Sequence, residues 1–84
     1  MDLEEKIKEE NKKLRHLRLM IDLSIQLLYQ QKNLSLSEGF KYIALARNYA
    51  ISLFPDKGEV FDIVYKPRLM RVLEERNLIS YSAN

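Results

Sequence analysis

The chain has no cysteine. Disulfides are therefore excluded, and thiolate metal sites with them. A single histidine, His16, cannot build a metal site alone. Gly and Pro number two each among 84 residues, too few for turn-rich β structure and well suited to long helices. Neither sign of charge dominates: the net charge of +2 is too small by itself to imply a polyanionic partner. Long hydrophobic runs are missing too. The most apolar stretch, Leu17–Tyr29 (LRLMIDLSIQLLY), is shorter than the roughly 20 residues a bilayer span needs, and it contains Arg18 and Asp22. No membrane contact is expected. The acidic start (Asp2, Glu4, Glu5) is unlike a secretory n-region, and a cytoplasmic location is expected.

Catalytic motifs are lacking as well. There is no nucleophile elbow, no Gly-rich phosphate loop and no H-E-x-x-H. Lys13 stands three residues before His16, where a di-iron bundle would carry glutamate. The paired acids (Glu4 and Glu5, Glu9 and Glu10, Glu74 and Glu75) are chain neighbours. On a helix they point about 100° apart and make no dyad. The expectation is a non-enzymatic protein without cofactor or metal.

What is present is helical periodicity. Projected on a helix, Leu17, Met20, Ile21, Leu23, Ile25, Leu27 and Leu28 cover an arc of about 200°, twice the stripe of an ordinary surface helix. Such an arc needs at least two neighbours. Residues 1–14 form a charged helical extension whose apolar residues are Leu3, Ile7 and Leu14. Ile7, Leu14, Ile21 and Leu28 recur every seventh residue, but Glu10 and Ser24 spoil the alternate seam positions. The thin stripe Leu3–Ile7–Leu14 either packs loosely on its own domain or meets the same stripe of a second copy. Asn11 offers a rival helix start at Lys12.

Ser35 and Glu38 have capping-box spacing, with Ser37 as the rival cap, and Asn33 can end the first helix. The second helix then runs from about Leu36 to Phe54 and is apolar nearly all round. Ala46 and Ala50 would let a neighbouring backbone come close. Ala50–Pro55 resembles the close of a tetratricopeptide second helix. Ile43 and Arg47 depart from that pattern, however, and no second copy follows. Pro55 and Gly58 mark a turn. Beyond it, Val60, Phe61, Val64 and Tyr65 form one apolar set, and Leu69, Met70, Val72 and Leu73 form another, rotated from the first by roughly 100°. That rotation favours a break with Pro67 opening a new helix; a kink at Pro67 is the alternative. Asn77 is a C′ candidate, and residues 78–84 read as a tail.

The expected fold is an all-α small helical bundle in one domain, 1–84. It has a long N-terminal helix, an antiparallel second helix and two short C-terminal helices broken or kinked at Pro67. Arg47 projects among apolar residues. It either snorkels at a rim or pairs with Asp22 or Asp62 inside the bundle or an interface. A core this small nets only about 3–5 kcal/mol, and with disulfides and metals excluded, oligomerisation is the remaining support. The first functional expectation is thus a helical protein–protein interaction module. It would pair with itself as a homodimer, or with another helical protein, through Leu3, Ile7, Leu14 and Arg47. The second is a phosphate- or nucleic-acid-binding protein. It would use Lys66, Arg68 and Arg71 at the start of the last helix, with Lys12, Lys13 and Arg15 in the first. His16 is expected to be solvated. The five tyrosines, Tyr81 in the tail among them, are expected at the rim of the core.

Overall fold

Asp2 opens the first helix. Its Oδ1 accepts the Glu5 backbone N–H at 2.8 Å, satisfying one of the donors that every helix start leaves unpaired. From there α1 runs unbroken from Leu3 to Gln30, so Asn11 caps nothing. The computed structural model describes residues 2–79. The tail positions 80–84, Tyr81 included, lie outside the described residues.

α1 ends without a left-handed residue. Asn77 is the only non-glycine with positive φ among the described residues, so Asn33 is not a left-handed cap. The end is satisfied from elsewhere. The Arg76 guanidinium donates to the Leu28 carbonyl in the last turn of α1 and reaches the Lys32 carbonyl at 3.4 Å. A cation at a helix C-terminus meets both the free carbonyls and the negative end of the dipole. Leu34, buried in the connection, pins it to the core.

α2 spans Leu36–Leu53 and begins at the expected capping box. The Ser35 Oγ accepts from the Glu38 N–H at 3.1 Å, and Glu38 Oε1 accepts from the Ser35 N–H at 3.1 Å. α2 runs antiparallel to α1. The C-terminal helix, residues 58–75, then returns alongside both. Its direction is fixed by contacts with α1 along its length: Tyr65 near Leu14, Arg68 near Asp22, and Tyr29 donating to Glu75.

The sequence favoured two helices here, and the structure corrects that to one joined helix of 18 residues. It has three segments: Gly58–Val60, a π turn at Phe61–Tyr65, and Lys66–Glu75. The π turn is what admits Pro67. The Lys66 N–H bonds to the Phe61 carbonyl, five residues back, which adds one residue to the turn. That insertion rotates everything downstream by about 100°. It therefore also realigns the two apolar sets whose mismatch argued for a break. The helix stops at Arg76. Asn77 takes φ 61°, and the Leu78 N–H bonds to the Leu73 carbonyl at 2.9 Å. This is the expected left-handed C′ closure. Leu78 and Ile79 fold back as half-buried residues against the core.

The core lies where the three helices meet. Ile21 and Leu28 of α1 join Phe61, Leu69 and Leu73 of the C-terminal helix, all essentially without solvent contact. α2 contributes Ile43, Ala46 and Ala50, and also Gly39, where a Cβ would sit 2.6 Å from a Leu73 methyl carbon. The alanines and this glycine let α2 approach its neighbours closely. The 28 residues of α1 extend about 42 Å, whereas the other two helices reach about 27 Å each. The first ten or so residues of α1 therefore project past the bundle. The Cα radius of gyration is 14.8 Å, against about 12 Å for a compact chain of this length.

Candidate interaction surfaces

Burial divides the wide apolar arc of α1. Leu17, Ile21 and Leu28 are buried, while Leu23 and Leu27, with Leu19 just outside the arc, face solvent. Two helices pack on α1, and they cover the core side and the flank toward Asp22. On the opposite flank the exposed leucines follow one another at four-residue steps and so form a continuous ridge. α2 adds to it. Tyr49 shares a shallow pocket with His16, Leu19, Met20 and Leu23, and Leu45 stands one turn before Tyr49 beside Tyr42. Leu19 is 60 % exposed and Leu45 58 %. Leu19, Leu23, Leu27, Leu45 and Tyr49 together offer roughly 500 Å² of surface, within the range of about 300–600 Å² of the largest apolar patch on a soluble monomer, which is often functional. Tyr49 is one of the five tyrosines that the sequence places at the rim of the core, whereas the only signal for Leu45 is that apolar residues nearly encircle α2, more than one small core can absorb. His16 is exposed as expected, but it lies at the edge of this patch.

The second exposed set is the projecting end of α1. Leu3 is 73 % exposed and Ile7 51 %, so neither packs on its own domain. Leu14, by contrast, is half-buried. With Leu17, Phe54, Val60, Phe61 and Tyr65 it lines an almost wholly apolar pocket of about 130 Å³ at the foot of the projection. Lys57 also lines the pocket. Its Nζ lies 5.4 Å from the centre of the Phe54 ring, and the Lys13 Nζ lies 6.0 Å from it. Two cations therefore flank an apolar hollow.

Arg47 sits at neither surface's centre. Its Nε meets Asp62 Oδ1 at 2.8 Å and its Nη2 meets Oδ2 at 3.1 Å, a bidentate pair tying α2 to the C-terminal helix. Both side chains are about 40 % exposed, so the pair is an edge clasp and not a buried charge. The bond to Arg47 holds the Asp62 carboxyl below its ordinary range and raises the guanidinium of Arg47. Asp22, the other partner considered, instead faces Arg68 at 3.8 Å. Glu38 is likewise held below the usual carboxylate range, chiefly by the Ser35 N–H it accepts.

The basic residues lie on two helices. Lys66, Arg68 and Arg71 are exposed on a helix that is already running. The Lys66 N–H is bonded, so no row of free donors opens there. The helix-start argument for an anion at Pro67 thereby loses its basis. Lys12 and Arg15 are exposed on α1, and Lys13 leans over Phe54. Among the described residues no cluster of three or more His, Asp or Glu side chains could hold a metal. Nor is any helix long and apolar enough to cross a membrane. No protein-family model, curated protein or solved structure matches the chain.

Proposed function

We propose that this protein is a non-enzymatic helical interaction module of the cytoplasm that works as a homo-oligomer. The observation that carries the reading is the exposed apolar surface. A three-helix bundle with a closed core still leaves five large side chains together on its α1–α2 face and two more on its projecting end. Scattered apolar residues need no explanation, but contiguous ones do. At about 57–65 % apolar, a protein interface containing roughly 500 Å² of apolar area measures about 800 Å² per partner, the size of a standard specific contact.

Sedimentation equilibrium from low to high micromolar concentration tests self-association. The expected result is a mass that rises reversibly above 10.0 kDa, the mass of one copy. A single copy at every concentration would remove the homo-oligomeric part of the reading.

A further inference from the structure

We infer that the projecting end of α1 pairs antiparallel with the same segment of a second copy, and that Leu3 of each copy enters the apolar pocket of the other. This rests on the self-associating reading above and names the surface that does it.

Three observations carry the inference. The first is apolar register. Ile7 and Leu14 are seven apart, as are Leu3 and Glu10, and on α1 all four lie along one side. Antiparallel pairing sets Leu3 level with Leu14 of the second copy and Ile7 level with its Glu10. Leu14 is a wall of the 130 Å³ pocket, so in this register Leu3 arrives at its mouth.

The second is length. The projection spans residues 3–13, about 16 Å. This is the overlap at which each tip reaches the foot of the other bundle. A deeper overlap would drive the tip into the Phe54–Gly58 turn.

The third is charge. In the same register Asp2 falls within a turn of Lys13 of the second copy on one side of the seam and Glu4 within a turn of its Arg15 on the other, although Lys6 also approaches that Lys13 as a like charge. Lys13 and Lys57 flank the pocket that the acidic tip approaches. Parallel pairing would instead place acid beside acid and base beside base. The segregation of charge along residues 2–15 thus selects one orientation.

The contact is small. An overlap of this length buries on the order of 1,000 Å² in total, the low end for specific association. Glu10 in the seam weakens it further. The dimer is accordingly reversible, populated at high micromolar concentration.

The absence of native cysteine makes the geometry directly readable. Leu3→Cys and Leu14→Cys single variants, oxidised separately and mixed, distinguish the orientations. The expected result is a disulfide-linked dimer from the mixture and little from either variant alone. In parallel, the Leu3→Glu/Ile7→Glu double variant changes only exposed residues. It should keep the circular-dichroism spectrum and melting curve of the parent while the dimer dissociation constant rises about a hundredfold or more.

Self-linking of each variant alone would overturn the antiparallel arrangement. A dimer that survives Leu3→Glu/Ile7→Glu but is lost in Leu23→Glu/Leu45→Glu would overturn this inference and leave self-association standing on the α1–α2 face. A parent chain that never dimerises would remove both. A monomeric parent whose projection is instead bound by a different protein chain would likewise refute the second-copy assignment.

Discussion

Gly39 of α2 packs against Leu73 of the C-terminal helix, and the contact yields a prediction whose sign depends on the partner residue. Gly39 has no positive φ, so its backbone does not require glycine. Replacing it with alanine in a helix should therefore gain about 1 kcal/mol from propensity alone. The added Cβ would lie 2.6 Å from Leu73 Cδ2 and 3.3 Å from Cδ1. Leu73 is fully buried and cannot swing into solvent. Overpacking of this kind costs about 1–3 kcal/mol. The net for Gly39→Ala is a loss of roughly 0–2 kcal/mol, or up to about 15 °C in Tm for a domain this small.

Leu73→Ala alone leaves a cavity and should cost about 2–5 kcal/mol. In that background the clash is gone and the propensity gain remains, so Gly39→Ala should now stabilise. The double-mutant cycle should give a coupling of about 1–3 kcal/mol. Urea unfolding followed by far-UV circular dichroism, at a concentration that holds the monomer, measures all four proteins. Equal effects of Gly39→Ala in both backgrounds would refute the close packing of α2 on the C-terminal helix.

The two sides of α1 should respond oppositely to polar or smaller residues. Ile21→Ala, at a fully buried site, should lower stability by about 2–5 kcal/mol, whereas Leu23→Gln at an exposed site should leave Tm within a few degrees; thermal melts of both decide it. Asp62 has a lowered pKa from its bond to Arg47, so the pair stabilises the fold above the ordinary carboxylate range, and that contribution is lost as pH falls below about 4. The stability gap between the parent and Asp62→Asn should therefore close on acidification, as read by urea titrations at several pH values. A gap that widens instead would contradict the clasp. Pro67→Ala should leave the Lys66 backbone helical, as it already is. Carbon chemical shifts that turn helical only in the variant would restore the broken-helix picture.

Much of the fold could be read from residue order because it depends on local chemistry. The capping box at Ser35 and Glu38, the left-handed closure at Asn77 and the continuous period of α1 each require only residues within a turn of one another. The C-terminal helix could not be read this way. Its two apolar sets are out of phase at 3.6 residues per turn, and phase alone cannot distinguish a break from a one-residue π insertion. The insertion at Phe61–Tyr65 is settled by tertiary packing, which buries Phe61, Leu69 and Leu73 together. Arg47 shows the same limit. Sequence offered Asp22 and Asp62 equally, and only the path of the returning helix places Asp62 within reach.

The exposed surfaces follow from how few elements the chain has. A helix can be covered on all sides only by three or more neighbours, and α1 has two. Its 200° arc is satisfied over the part facing them, and the remainder, Leu23 and Leu27, stays in water together with Leu19 just beyond the arc. The projecting end has none, since α2 and the C-terminal helix are both about ten residues too short to reach it. Exposure at Leu3 and Ile7 is thus a consequence of unequal helix lengths and not of weak packing. An α1 that began near Leu14 would have removed it at little cost to the core, because among the described residues none before Leu14 packs there. The extra turns contribute little to the stability of one copy. Their charged residues stand at i,i+4 spacing (Asp2 and Lys6, Glu4 and Lys8, Glu9 and Lys13) and support the exposed helix itself, whereas Leu3 and Ile7 have no apolar neighbour within one copy.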